Sequence, residues 1–186
     1  MAAAAGVGGW QSATVLGIVD ETARAKSFRL RLSEPTGHRA GQHYVVRLTA
    51  PDGYRASRSY SVASAPDRPD EIELTVELLP GGEVSTFLHD EVVVGDELEV
   101  RGPIGGWFVW RGETPALLVG GGSGIVPLMA MLRLARADLA TLIGGDLDVD
   151  VYVCGSSGFA DAATDLVTDA GVPADRIRVE RFGPSG

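Results

Sequence analysis

The sequence predicts two kinds of β structure in one chain: an antiparallel β-barrel, then a parallel α/β sheet. Three observations predict it. Up to about Arg111, short β-like segments follow one another with turn residues between them, the texture of an antiparallel barrel or sandwich. After Glu113, continuous apolar runs alternate with stretches of helical spacing, the texture of a parallel sheet. The length, 186 residues with 45% hydrophobic and 22% charged content, suits one large folded unit or two small ones. The boundary falls in RGETP (111–115), which gives a first domain at 10–112 and a second at 113–186.

Taken in order, SATVLGIVD (12–20), SFRLRL (27–32), HYVVRLTA (43–50), SRSYSVAS (57–64), EIELTVELL (71–79) and DELEVRG (96–102) read as strands. EVSTFLHDEV (83–92), after a Pro-Gly-Gly turn, reads as a helix. ALLVG (116–120) is a continuous apolar run, expected to be a strand buried on both faces. GIVPLMAMLRLARA (124–137) places Leu128, Met131, Leu132 and Ala135 at helical spacing. DVYVCG (150–155) is a second buried strand, FADAATDLVTDAG (159–171) a helix ending on Gly171, and RIRVERF (176–182) a third strand.

Composition excludes several classes. One cysteine, Cys154, and three histidines leave no disulfide framework, no iron–sulfur cluster and no structural zinc site. That usage fits a reducing, cytoplasmic setting. The start, MAAAAGVGGW, lacks the basic end and apolar core of a signal peptide. Pro115 to Leu132 is long enough for a membrane span, but its GGGSG and Pro127 argue for strand, turn and helix instead. Net charge is −9, unevenly spread: residues 1–66 carry +4 and residues 67–186 carry −13. The first third therefore reads as a basic docking face or as part of an ordinary solvated surface. An acidic chain without a basic stripe is not a nucleic-acid binder.

Four stretches carry chemistry. In YRASRSYSVASAP (54–66), alternation sets Arg58 and Tyr60 on one face and Ser59 and Ser61 on the other, with little apolar surface on either. VGGGSGIVP (119–127) contains Gly122, Gly124 and Pro127 as G-x-G-x-x-P, a turn that lets backbone N–H groups approach a pyrophosphate at a helix start. Steric demand alone also produces such turns. ELLPGGEVSTFLHD (77–90) puts Val84, Ser85 and Thr86 at a second helix start, an anion site or plain N-capping by Ser85. VYVCGSSGF (151–159) ends a parallel strand on Cys154, where open α/β sheets hold ligands. No neighbouring cation lowers its pKa, so it reads as a small buried residue rather than a nucleophile. There is no nucleophile elbow, no H-E-x-x-H and no P-loop.

In order along the chain, RSYS (58–61), GGEVS (81–85), GSGIVP (122–127), CGSSGF (154–159) and ERF (180–182), with GQH (41–43) and GPIGGW (102–107), resemble the ferredoxin–NADP reductase family. The resemblance implies an FAD-binding barrel and an NAD(P)-binding α/β domain. It implies that Arg58 meets the FAD pyrophosphate, Tyr60 stacks on the isoalloxazine, and Ser61 hydrogen-bonds near flavin N5, with Ser59 beside them. Alternation sets Ser61 opposite Tyr60, so its role requires a bend or its backbone. The resemblance further places Glu77, Gly82, Glu83, Val84, Ser85 and Thr86 around the other end of the pyrophosphate. Gly122, Gly124, Pro127, Gly155 and Phe159 would take the nicotinamide nucleotide. Cys154 would line the nicotinamide slot, and Phe182 matches the C-terminal aromatic that covers the flavin. Ser61, Cys154 and Phe182 are thus the implied catalytic positions.

The implied activity is hydride transfer from NADPH or NADH to FAD and release of single electrons to ferredoxin or another one-electron carrier. A non-catalytic flavin-binding module and a flavin-dependent ferric or siderophore reductase are the alternatives. The chain departs from the pattern at AGQ (40–42), at Ser156, and in the length of the second domain. Near 137–138 a strand–helix–strand segment is missing; either a longer chain carries it or this is a stripped variant. Residues 138–150 hold Thr141 and four aspartates (Asp138, Asp146, Asp148, Asp150) but no cation, so little discrimination between NADPH and NADH is expected.

Overall fold

The computed structural model describes residues 8–135, 149–169 and 171–182. The nucleotide-choice expectation at Asp138, Thr141, Asp146 and Asp148 lies outside these residues, as does the junction near 137–138.

Six strands form an antiparallel sheet: β1 (Trp10–Thr22), β2 (Ala25–Leu32), β3 (His43–Thr49), β4 (Arg55–Ser61), β5 (Glu71–Glu77) and β6 (Glu97–Ile104). Their order is β4-β3-β6-β1-β2-β5. The edge strands β4 and β5 come together through a single bridge, Val62 to Leu74, so the sheet curls like a barrel without a continuous closing ladder. Alternation does the folding. On β5, Ile72, Leu74 and Val76 point inward, each about 1% exposed, while Glu71, Thr75 and Glu77 stay half-exposed. With Phe28, Leu30, Tyr44, Val46 and Val100 they make one core, closed at one end by Val84 and Leu88 of helix α1 (Glu83–Asp90). Burying each large side chain contributes roughly 1.5–3 kcal/mol.

A parallel sheet follows, ordered β7 (Ala116–Gly120), β8 (Asp150–Ser156), β9 (Ile177–Phe182), with helices α2 (Ile125–Ala135) and α3 (Ser157–Asp169). β8 is buried along most of its length, as its apolar run predicts. β7 is not. Leu117 is 46% exposed, because β7 is an edge strand among the described residues and no neighbour covers that side. Leu132 likewise stays 40% exposed, and α2 buries Val126, Leu128, Ala130 and Met131 instead.

Two cations of the first third are matched by carboxylates from later in the chain, whereas Arg24, Arg39, Arg55 and Arg58 stay exposed. Arg31 pairs with Glu71 at 3.2 Å, and Arg47 is held by Glu99. The carboxylates come from later in the chain, so a segment's net charge misstates the surface that it forms.

The two sheets meet where Ala40, Phe108, Leu128, Met131, Tyr152 and Cys154 form a shared cluster, with Phe108 edge-on to Tyr152 at 5.3 Å. Gly41 makes the approach possible. Its φ is +95°, and a Cβ there would lie 2.1 Å from the Phe108 carbonyl oxygen and 2.9 Å from Met131. Gly53, at φ +90°, has open space around it. Gly41→Ala is therefore expected to cost about 1–3 kcal/mol more than Gly53→Ala, since overpacking adds to backbone strain only at Gly41. Urea unfolding of the two variants measures the difference.

Candidate functional site

On the barrel, β4 and the start of α1 pack side by side. Tyr54, just before β4, donates its hydroxyl to Glu83 Oε2 at 3.1 Å and ties the two together. Arg58 is exposed, and its guanidinium donates to the carbonyl of Ser57 at 2.7 Å. Tyr60 is half-buried against the barrel core; burial pushes its hydroxyl up to about 12, offset in part by the neighbouring charge of Arg58. Ser59 is exposed, whereas Ser61, on the same face, is only 6% exposed because β4 ends there. Val62 then leaves the ladder, donating its N–H to Gln42 and bridging to Leu74.

At the second turn, Ser85 is not an N-cap. Gly82 occupies that position, and no side chain caps the helix. Ser85, one turn inside, accepts from the Leu79 N–H at 3.2 Å and donates to the Gly82 carbonyl at 3.1 Å, which clamps the turn. Replacing Gly82 by any other residue would set a Cβ 2.6 Å from that hydroxyl. The first N–H groups of α1 therefore lack both helical partners and a capping oxygen, which leaves them available to an anion. Val84 points into the core, so only its backbone can serve. Gly81 and Thr86 line a cavity of about 290 Å3 shared with Arg24, Leu78, Leu79, Pro80 and Asp90. Glu77 lies half-buried at the end of β5.

In the parallel sheet, Gly122–Gly124 form a 3-10 turn between β7 and α2, and Gly122 sits at φ +57°. Gly124 is irreplaceable for steric reasons: a Cβ there would lie 2.1 Å from the Cys154 carbonyl oxygen. Pro127 is in the first turn of α2, where the missing N–H costs no hydrogen bond. Phe159, at the start of α3, presses its ring against two glycines; Cβ atoms at Gly121 and Gly155 would lie 2.9 and 2.5 Å from it. The glycine turn, Gly155 and the start of α3 thus converge at the carboxyl ends of β7 and β8.

Cys154 is fully buried, and its thiol donates to Glu180 Oε2 at 3.7 Å. Burial, then the Glu180 charge, pushes the thiol well above its ordinary value. Burial also pushes the Glu180 carboxyl up, while the thiol's hydrogen bond pulls it down. Sequence reading quoted Glu180 within ERF but gave it no role. The pairing of Cys154 with Glu180 across β8 and β9 was the signal, and it needs the parallel register. Phe182, at the end of β9, packs on the cluster that buries Cys154. Asp150 is not a free carboxylate: Arg176 donates to it at 3.1 Å and Arg178 lies at 3.4 Å. Among the described residues no cluster of side chains suits a metal ion, and no helix is long and apolar enough to cross a membrane.

A cation, an aromatic and uncapped helix N–H groups along one side of a barrel match the chemistry of a flat ring joined to a pyrophosphate. A family profile described as the oxidoreductase FAD-binding domain matches residues 13–109. The chain belongs to that family. Its FAD-binding fold covers β1 to β6, and the parallel sheet completes the two-part architecture of ferredoxin reductase-type proteins. Relatives include the ferredoxin–NAD(P)+ reductase component of the naphthalene 1,2-dioxygenase/salicylate 5-hydroxylase systems of a Ralstonia species, 33% identical over 93% of this chain and 69% of the relative. A flavohemoprotein from Deinococcus radiodurans is 28% identical over 96% of this chain and 61% of its own length. The chain spans 33% of the phenol hydroxylase P5 protein of Acinetobacter pittii. The Ralstonia and Deinococcus alignments run over 231 and 246 residues against a chain of 186, so both relatives carry residues inside the aligned span that this chain lacks.

Solved structures share the family fold. The flavohem-like FAD/NAD-binding domain of nitric oxide dioxygenase from Vibrio cholerae superposes with a TM-score of 0.79 at 23% identity, over 94% of this chain and 99% of that one. Phthalate dioxygenase reductase gives 0.72 at 19% identity, over 96% and 70%.

The raised carboxyl of Glu180 makes a pH prediction. A carboxyl with a raised folded-state pKa stabilises the fold fully below its unfolded value, near 4.5, and that contribution is lost as pH rises through the folded value. Glu180→Gln should remove this loss, so the variant gains stability relative to the parent as pH climbs from 4.5 toward neutrality. Denaturant midpoints across that range test it; parallel curves for the two proteins would contradict it.

Proposed function

We propose that the chain is an FAD-dependent oxidoreductase that takes reducing equivalents from NADH or NADPH and passes them to a one-electron carrier such as ferredoxin. The observation that carries this reading is the presence of two glycine turns at helix starts, Gly82–Thr86 on the barrel and Gly122–Pro127 on the parallel sheet. A cofactor and a co-substrate that each contain a pyrophosphate require two such turns. The names of the Ralstonia, Deinococcus and phthalate dioxygenase relatives support the same chemistry.

Bound FAD supplies the redox chemistry, accepting a hydride from the nicotinamide and releasing electrons singly. The chain's residues bind and orient. Arg58 supplies a positive charge for the pyrophosphate, and the uncapped N–H groups of Glu83, Val84 and Ser85 supply donors for it. Tyr60 offers a ring face fixed by packing on the barrel core, with Ser59 on the same strand, Glu77 on the adjoining β5, and Gly82 and Thr86 at the start of the adjoining α1. Ser61 is the buried polar residue at the end of β4. Gly122, Gly124, Pro127, Gly155 and Phe159 shape the nucleotide turn. Cys154 keeps its proton on Sγ and acts as wall rather than nucleophile. Phe182 lies on the cluster that buries it, so displacement of Phe182 is the movement that opens this wall to a nicotinamide.

The exposed edge at Leu117 and the shortened second part favour one other reading, a flavin-binding module without nicotinamide chemistry. Purified protein is expected to be yellow and to release FAD, not FMN, by mass analysis. Anaerobic NADH or NADPH should bleach the colour rapidly; a flavin reduced by dithionite but by neither nucleotide would establish the module instead. Tyr60→Ala should weaken FAD binding by about 0.5–1.5 kcal/mol beyond the loss of simple burial. Arg58→Ala should cost at least as much through the lost charge-assisted contact. Flavin fluorescence titration reads both, and unchanged affinities would remove these residues from the site.

A further inference from the structure

One polar link crosses from the helical part to the barrel at a place that sequence reading did not single out. Arg133, near the end of α2, donates through Nη1 to the Ala63 carbonyl at 2.8 Å and to Glu73 Oε1 at 2.6 Å. Its two acceptors belong to one tightly bonded junction. Ala63 donates its backbone N–H to the Glu73 carbonyl at 2.7 Å, and Glu73 donates its N–H to Ser64 Oγ at 3.1 Å. Ala63 lies three residues after Tyr60 and two after Ser61, just past the Val62–Leu74 bridge. A guanidinium is suited to this, because its fixed planar donors can hold two acceptors in a set geometry.

At its other end α2 begins with the Gly122–Gly124 turn, and midway it buries Met131 against Gly41 and Phe108. The helix is therefore fixed to the barrel by an apolar contact at Met131 and a polar one at Arg133. Two anchors on different sides of one rigid helix fix its rotation as well as its distance. The pair is partly exposed, 41% for Arg133 and 27% for Glu73, so its contribution to stability is small. Its effect is geometric.

The geometry points to Arg133 as a positioning residue. By bridging Ala63 and Glu73 it holds α2, and the glycine turn at its start, in a fixed relation to the strand carrying Tyr60 and Ser61. This rests on the oxidoreductase reading, in which nicotinamide and flavin must meet across that junction; a misplacement of about 1 Å costs on the order of a hundredfold in rate.

The test uses the full chain with spin labels on Glu34→Cys and Asp169→Cys, both exposed, one on each part. Three variants are compared with the parent: Arg133→Ala, Arg133→Lys and Glu73→Gln. Electron–electron distance distributions and anaerobic flavin reduction by NADH and NADPH are measured, with FAD content as control. Arg133→Ala and Glu73→Gln should keep FAD, at least double the width of the distance distribution, and slow flavin reduction tenfold or more. Arg133→Lys should restore part of both. An unchanged distribution, an unchanged reduction rate, or loss of FAD instead of slowed reduction would each overturn the assignment. If Arg133→Ala does not fold, Glu73→Gln carries the same expectations. Parent protein that neither nucleotide reduces would defeat the oxidoreductase reading, and the distance distributions alone would then decide the latch.

Discussion

Close backbone approach, possible only at glycine, is the constraint on which the site depends. Gly124 lets the start of α2 sit against the Cys154 carbonyl, and Gly41 lets the barrel meet Phe108 and Met131. A methyl group at either position would collide with backbone oxygen, which cannot rotate away. Gly121 and Gly155 then make room for the Phe159 ring. The Gly122–Gly124 turn is therefore a packing joint, and the proposed anion cradle would use the same close backbone approach.

Electrostatics arranges what packing permits. Some of the barrel's cations are matched by carboxylates across the ladder, as Arg31 is by Glu71 and Arg47 by Glu99. Arg58 is among those without a carboxylate partner in the described residues, and its guanidinium donates to the Ser57 carbonyl. An unneutralised guanidinium beside a half-buried tyrosine and an uncapped helix start is a site poised for an anion. Cys154 and Glu180 work in the opposite sense: burial disfavours the charged form of each.

The strands and helices were legible because period-two and helical spacing reflect burial directly, and ALLVG and DVYVCG fall within one residue of β7 and β8. Burial of β7 was misjudged. An apolar run reports what a strand could bury, whereas Leu117 depends on whether a neighbour exists. Of the two readings of Ser85, N-capping is the one that fails: the Pro-Gly-Gly turn moves the cap to Gly82 and turns Ser85 into a clamp. The pairing of Cys154 with Glu180 and the reach of Arg133 to Glu73 join residues far apart in sequence, and no local pattern encodes either.

The central claim is that the barrel groove between Tyr60 and the Gly82–Thr86 turn holds FAD, facing the Gly122–Pro127 turn. A crystal structure of the protein reconstituted with FAD tests it most directly. The account predicts the pyrophosphate against Arg58 and the start of α1, with the flavin ring between Tyr60 and the Phe182 side of the shared cluster. FAD density at any other surface, with Arg58 and the uncapped turn left in solvent, would contradict it.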